Sequence, residues 1–298
     1  ASNWPSDSMK VQFVGRFGEE VYATTVASST ELAEQLSTVK APNLGGYTFC
    51  GWNDNAADAD TLFDTYKNQD DPYVVRPVYS EGDNEGQRLT YTVTVGADIE
   101  STNCTIIESQ IKDIHFDDRV ELKLASATNG SVAYWELDGQ KVGYGKDTFT
   151  FYVTGANKVS VVLAEDGQTY EPETSVNIQQ YATQYNEYKN SYVLTVIAQA
   201  YIHSAETSVE YGVYYTATTA EVNNIKNGNP TDGQFVKIKS SKTGSNQQYM
   251  THLLNVKADS YRYAIAYAIV DGETVFSPYV FQFHTGSDGT VTVQKGTI

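Results

Sequence analysis

Four histidines, His115, His203, His252 and His284, are the side chains best suited to bind a transition metal or to move a proton near neutral pH. No two of them stand four residues apart, and the chain has no Cys-x-x-Cys. A zinc site would need three unrelated strands to converge, so no metal ligands are assigned. Cys50 has no histidine in its own segment to deprotonate it and reads as an inert thiol. Asp54, Asp58, Asp60 and Asp64 offer spaced oxygens of the kind Ca2+ takes, but they lack the central Gly and closing Glu of an EF-hand loop. They read as a solvated acidic face, and Asp117-Asp118 reads as a turn pair. Gly143-Tyr-Gly-Lys-Asp147 lacks the spacing of a phosphate loop, and neither a Gly-x-Ser-x-Gly elbow nor a dinucleotide fingerprint occurs. No catalytic residue and no cofactor is expected. Asn103-Cys-Thr105 and Asn129-Gly-Ser131 match the glycosylation acceptor, a triplet common by chance.

Recognition is the chemistry that remains. The chain has 23 tyrosines, and 14 of them lie from Tyr170 to Tyr279. Exposed tyrosine gives rigid, amphipathic contact area suited to sugars or proteins. Tyr181, Tyr185 and Tyr188 sit in the polar stretch Gln-Tyr-Ala-Thr-Gln-Tyr-Asn-Glu-Tyr-Lys, where a period of three to four would put them on one face. They are the candidate ligand contacts. The plainer reading is that tyrosine here is a good strand former and half-buried filler.

Composition limits the partners. With 20 Lys and Arg against 37 Asp and Glu, the formal net charge is -17. Nucleic-acid binding relies on neutralising phosphates and is not expected, nor is docking on an anionic membrane. No run approaches the roughly 20 apolar residues of a membrane helix, so no direct membrane insertion is expected. The first residues show no basic segment leading into an apolar one, and the last show no hydrophobic anchor. A soluble piece is expected, either a mature protein or a fragment. Forty per cent apolar residues exclude wholesale disorder. Cys50 and Cys104 fall in different segments, so no disulfide between them is expected. The scarcity of cysteine is compatible with an exported bacterial protein.

Two stretches rich in Gly and acidic residues, Ser80–Gln87 and Glu165–Glu173, read as linkers. They divide the chain into 1–84, 85–166 and 167–298, with net charges of -8, -6 and -3. In the first part Met9, Val11 and Phe13 alternate along a strand, and Glu20–Val26 reads as a second. Leu32, Leu36 and Val39 then follow a helical period, with Ser28 and Glu31 placed to form a capping box and Pro42 to end the helix. Gly46–Trp52 reads as a short aromatic strand, Asn55–Asn68 as a second helical turn around Leu62, Phe63 and Tyr66, and Tyr73–Tyr79 as a single edge strand because of its Pro. Strand, strand, helix, strand, strand is a β-grasp order. Residues 85–166 read as about six short strands, with a hairpin signal at Asp138-Gly139, which suggests a sandwich. The last part holds strands at Ser191–Ile202, Val209–Tyr215, Tyr249–Val256, Tyr261–Val270 and Val275–His284, with Asp271-Gly272 turning between the last two. Asn223–Gly233, polar and bearing Gly and Pro, reads as a mobile loop. The core face of Tyr261–Val270 cannot be chosen, because its Tyr/Ile and Ala faces are both plausible.

Gly46-Tyr47-Thr48-Phe49-Cys50-Gly51-Trp52, followed by a closing strand ending in aromatic and basic residues, resembles the internalin B-repeat (Listeria–Bacteroides repeat) module over about residues 9–80. The resemblance implies a β-grasp building block of bacterial surface proteins, in which Gly46, Tyr47, Phe49, Gly51 and Trp52 are structural and no catalytic residue carries over. The helical stretch 28–39 is longer than usual for that module, and no second copy of the run follows. Trp135–Leu163 resembles the back half of divergent bacterial surface repeats and Ig-like domains. Tyr261–Thr285 resembles the last two strands of fibronectin type III-like domains, with Tyr261 or Tyr263 as a candidate tyrosine corner. Surface Ig-like domains often carry Lys–Asn isopeptide bonds, but no diagnostic segment stands out here. The expected fold is mainly β with one α+β domain: a β-grasp domain followed by two β-sandwich domains, Ig-like and fibronectin III-like. The expected role is that of a non-enzymatic module, secreted or at the cell surface, acting in adhesion, display or spacing. Its expected partners are a host or matrix protein or a glycan. The alternative is a carbohydrate-binding accessory module using exposed Tyr and Trp, and an enzyme comes third.

Overall fold

The computed structural model describes residues 6–44, 47–81, 90–91, 94–95, 104–105, 114–115, 119–124, 132–137, 140–144, 148–152, 157–163, 174–202, 208–241 and 248–298. The fold is mainly β, built from several separate sheets. By contact the chain forms two compact units. One is 1–89 together with 184–192; the other is 90–183 together with 193–298. Gly46, the residues 82–87 of the first linker, the Glu165–Glu173 linker, Asn103, Asp117-Asp118, Asn129–Ser131, Asp138-Gly139, 145–147 and His203 lie outside the described residues.

In the N-terminal unit β1 (Met9–Val14) and β2 (Glu20–Val26) form an antiparallel hairpin. The alternation of β1 buries Met9, Val11 and Phe13, as its spacing predicts. Helix α1 (Ser29–Thr38) starts at Ser28, whose hydroxyl accepts from Glu31 N–H, while the Glu31 carboxylate accepts from Ala27 N–H. It lays Leu32 and Leu36 on the core. Strand β3 (Tyr47–Trp52) follows, then a 3-10 turn and helix α2 (Ala59–Tyr66), which buries Phe63.

The segment read as one edge strand is two. β4 (Tyr73–Val75) pairs parallel with β1, while β5 (Pro77–Glu81) pairs antiparallel with β3. The break falls at Arg76. Asn53 clasps it there, its N–H donating to Arg76 O and its side-chain oxygen accepting from Arg76 N–H. Pro77 then opens the new strand, where its missing donor is harmless.

Residues 90–163 contribute β6 (Thr90–Tyr91), β7 (Thr94–Val95), β8 (Cys104–Thr105), β9 (Ile114–His115), β10 (Arg119–Leu124), β11 (Val132–Leu137), β12 (Gln140–Tyr144), β13 (Thr148–Tyr152) and β14 (Lys158–Leu163). They pair in the orders β13-β10-β8, β12-β11-β14-β7 and β6-β9. Trp135 of one sheet stacks on Phe149 of another at 5.5 Å, and both are buried. Val120, Leu122, Leu137, Phe151, Val159 and Val161 are buried as well.

The C-terminal part adds β15 (Ser175–Asn186), β16 (Ser191–Tyr201), β17 (Val209–Thr216), helix α3 (Thr219–Lys226), β18 (Phe235–Lys239), β19 (Gln248–Lys257), β20 (Tyr261–Val270), β21 (Glu273–Phe276), β22 (Val280–Thr285) and β23 (Val291–Gly296). One sheet runs β15-β16-β19, the other β18-β17-β20-β22-β23 with β21 paired to β20. They meet through tyrosines. Tyr211 stacks on Tyr249 at 5.5 Å, Tyr215 bonds Thr251 at 2.9 Å, and the Tyr249 hydroxyl donates toward Gly212 O and Tyr267 O. Opposite Tyr211, Val213 and Tyr215 on the sheet stand Ala268, Ala266 and Ala264.

The ambiguous faces of β20 have a physical explanation. Ala264 to Ala268 are all fully buried, because Val222 of α3 packs on Ile265 from the other side. A strand covered on both faces has no polar face to read. The tyrosine-corner reading also shifts. Tyr261 is 46% exposed with its ring on His284, and Tyr249 is the buried tyrosine whose hydroxyl reaches backbone oxygens. Asp271 and Gly272 take φ of 49° and 86°, the left-handed pair that a two-residue hairpin requires.

Asn223–Gly233 is not the mobile loop expected. Its first residues are the end of α3, capped by Thr218, whose hydroxyl accepts from Glu221 N–H. The buried Glu221 carboxylate then accepts from Thr231 N–H at 2.6 Å and from Asn224 at 2.9 Å, pinning the return of the chain. These bonds, the Thr231 backbone donor first, hold its carboxyl below the usual range. Glu221→Ala is expected to release residues 227–234. Hydrogen exchange should show a large rise at the Thr231 amide with little change in β20.

Candidate functional site

The N-terminal motif is built around one irregularity. In a regular strand Phe49 and Trp52, three residues apart, would face opposite sides. The pairing of β3 with β5 slips between Phe49 and Gly51, and Gly51 takes φ of 116°. This bulge brings the Phe49 and Trp52 rings onto one side, 5.2 Å apart and edge to face. Trp52 is buried against Phe13 at 4.8 Å, and its indole N–H donates to Val39 O at 2.8 Å. Tyr79, opposite Phe49, donates its hydroxyl to Pro42 O at 2.7 Å, and burial pushes that phenol up. The backbone of Tyr47 lies in β3; its side chain is outside the described residues, as is all of Gly46. Beside the motif opens a pocket of about 530 Å3, lined by Leu36, Lys40, Asn43, Phe49, Gly51 and Tyr79 among others. It offers a lysine and an amide but no paired acid and base.

A second group near Tyr79 matters for pH. Glu19 is 4% exposed; one carboxylate oxygen accepts from Phe17 N–H at 3.1 Å, and the other has no hydrogen-bond partner. Desolvation raises its carboxyl above the usual value, with the backbone donors pulling the other way. The folded state therefore favours the neutral acid. Stability from this group is fully present below the unfolded pKa and is lost as pH rises through the folded one. Glu19→Gln is expected to raise the melting temperature at pH 7. The gain should vanish near pH 4, where the wild type is itself protonated.

The tyrosine candidates separate. Tyr181 and Tyr185 lie within β15, and Tyr188 lies in the turn after it, so no helical face gathers them. Tyr181, in the C-terminal unit, meets the edges of Phe281 and Phe283 at 5.4 and 6.0 Å. Tyr185 packs on Tyr192 at 4.9 Å and donates to Asn190. Tyr188 packs on Tyr22 at 5.2 Å, and its hydroxyl accepts from Lys40 N–H at 2.9 Å. Beside it the Asn186 side chain donates to Glu20 O and Val21 O, and Lys189 pairs with Glu20. Residues 184–192 thus cover the open edge of β2. Tyr181 is 42% exposed and Tyr188 39% exposed.

The other chemical candidates have local roles. Asp54 accepts from the Tyr73 hydroxyl, Asp64 pairs with Lys67, and Asp58 precedes α2 without a capping bond from its side chain. Among the described residues no three His, Cys, Asp or Glu side chains gather as a metal site. Cys50 is exposed at the bulge, its thiol toward Thr48 O. His252 bonds Thr195 at 2.8 Å. On the six-stranded sheet, burial draws the Glu210 carboxyl up, but bonds from Lys237 and Tyr267 with the charges of Lys237 and Lys239 outweigh it and hold it below the usual range. Lys237 also lies over the rings of Tyr267 and Tyr214.

A pairing the sequence reading missed is Tyr261 with His284. The two lie directly opposite on β20 and β22, rings parallel within 5° and 4.2 Å apart. Counting back from the Asp271-Gly272 turn comes within two residues of this pair. The offset arises at Ser277-Pro278, where Ser277 Oγ accepts from Ala266 N–H and so replaces a ladder partner. Compared with known proteins, the chain matches no family model, and no curated protein matches it at a significant level.

Proposed function

We propose that the chain is a non-enzymatic extracellular module of a bacterial surface protein, acting in adhesion, display or spacing through protein or glycan contacts. In this reading it comprises a β-grasp domain followed by an Ig-like and a fibronectin III-like sandwich. The observation that carries the reading is the use made of the Gly-Tyr-Thr-Phe-Cys-Gly-Trp run. Phe49 and Trp52 are committed to the core and its hydrogen bonds rather than to chemistry, as the surface-repeat resemblance implies. The parallel β1–β4 pair beside the β1–β2 hairpin, with α1 on the core, supports the β-grasp assignment. The stacked Trp135 and Phe149, and the facing tyrosine-rich sheets, support two sandwiches.

The test is to anchor the chain on a non-adherent bacterium. Adherence to wells coated with matrix proteins or glycans, and accessibility of an N-terminal tag, are compared with the anchor alone. An increase in either is expected. No change in both, or turnover of peptide, ester or glycoside substrates by the purified chain, overturns the reading.

A further inference from the structure

The exposed part of the six-stranded sheet carries two rows of side chains, of which only Tyr263 packs against the buried Val222–Ile265–Val280 cluster. Cross-strand partners share a face of a sheet. Tyr261 pairs with His284, which pairs with Thr292; Tyr263 pairs with Gln282, which pairs with Gln294. The next residue of β20 on this face, Ile265, is covered by Val222 of α3, so this is the outer face and the helix closes it on one side. The two rows beyond the helix stay accessible: Tyr261, Thr292 and Gln294 are exposed, while Tyr263, Gln282 and His284 are half-buried. At ~4.8 Å between strands and ~6.8 Å between alternate residues, the patch measures about 10 by 7 Å. Behind it lie the buried Ala264, Phe281 and Phe283, so the platform rests on packed strands rather than on a loop.

Three properties of the patch select a ligand. The first is a stacked aromatic pair with nearly half of Tyr261 open to solvent, which suits a ring that presents C–H groups. The second is unused hydrogen-bonding capacity. Arg262 donates to the Tyr261 backbone carbonyl, but among the described residues the side chains of Tyr261, Gln282, Thr292 and Gln294 make no hydrogen bond, so two amides and two hydroxyls, each both donor and acceptor, are available. The third is the absence of acidic residues, lysine and arginine. Neither row contains Asp, Glu, Lys or Arg, in a chain whose net charge of -17 repels anions.

We propose that the face bearing Tyr261, His284, Gln282, Thr292 and Gln294 binds a neutral pyranose saccharide. The sugar ring lies across the outward edges of the stacked pair, and its hydroxyls exchange hydrogen bonds with the Tyr261 hydroxyl, the amides and Thr292. This deepens the glycan arm of the adhesion reading and rests on it.

The experiment uses the full chain. A printed glycan array is followed by calorimetry with cellotetraose, chitotetraose and lactose, and with 3'-sialyllactose as the charged counterpart of lactose. At least one neutral saccharide is expected to bind. Tyr261→Ala, and separately the Gln282→Ala/Gln294→Ala pair, should weaken it by about tenfold or more. Tyr261→Leu, which keeps an apolar side chain on the sheet, should weaken it comparably at an unchanged melting temperature. Two results overturn the platform: no neutral saccharide binds on the array or in solution, or binding survives both Tyr261 variants. If either occurs while anchored chains still adhere to protein-coated wells, the platform falls and the adhesion reading stands. If adherence and tag accessibility are also unchanged from the anchor alone, both fall.

Discussion

Trp52→Ala is expected to unfold the N-terminal unit near room temperature while β20 and its neighbours stay folded. The substitution removes a buried indole that contacts Phe13 and Phe49 edge to face and donates to Val39 O just past α1. Truncating a buried Trp costs about 3–5 kcal/mol, against a total of about 5–15 kcal/mol for a typical domain. A unit with one small core lies at the low end of that range. Hydrogen exchange on the intact chain is the measurement. Amides of Met9–Val14 should lose nearly all protection, and those of Tyr261–Val270 should keep theirs. Trp52→Phe separates packing from the hydrogen bond. It should lose about 1–2 kcal/mol, mainly from leaving Val39 O without its indole donor. If Trp52→Ala leaves protection of β1 within tenfold of wild type, the indole is not what holds β3 to the core.

Gly212→Ala should be the most damaging single methyl group in the C-terminal sheets. A Cβ at this position would overlap the Ile238 carbonyl oxygen and the ring edge and hydroxyl of Tyr267, which lies over the glycine from the neighbouring strand. Tyr267 would have to leave, and with it its bond to Glu210 at 2.9 Å. Overpacking and a lost charge-assisted bond together predict about 3 kcal/mol. Urea denaturation of Gly212→Ala, of Tyr267→Ala and of the double variant gives the coupling. The double variant should be less destabilised than the sum, since the ring is already gone, yet still worse than Tyr267→Ala alone because Ile238 O remains in the way. Strict additivity would mean the two sites do not meet.

Particular residues explain how much could be read in advance. β1, α1 and its cap were legible, because Met9, Val11 and Phe13 on one face and Leu32 with Leu36 on another keep clean periods. The Asp271-Gly272 turn was legible from its dipeptide. The division of Tyr73–Glu81 into β4 and β5 was not, because its cause, Asn53, lies more than twenty residues away. Helix α3 is obscured in the sequence although Thr218 and Glu221 carry a helix-start signature, because the Asn, Lys and Gly that follow favour a loop. Its stability comes from Val222 and Ile225 meeting the sheet, a tertiary effect invisible in eight residues. The tyrosines were found by type but grouped by the wrong period. Tyr181 and Tyr185 sit on a strand, and the half-open aromatic pair Tyr261 with His284 depends on a register shifted at Ser277.

The alanine row of β20 has a consequence for how this protein can change over time. Ala264, Ala266 and Ala268 stand beside Tyr215, Val213 and Tyr211, in a core that the large rings of Tyr211, Tyr215 and Tyr249 fill. Enlarging one of these alanines alone meets rings that have nowhere to go, and shrinking one of the tyrosines alone leaves a void, which at Tyr215 also strands the Thr251 hydroxyl. Neither step is easily accepted first. Substitutions at 264 and 215, and at 268 and 211, are therefore expected to occur together in descendants of this sequence. The interior of the sheet would then drift as coupled pairs while its outer face varies one residue at a time.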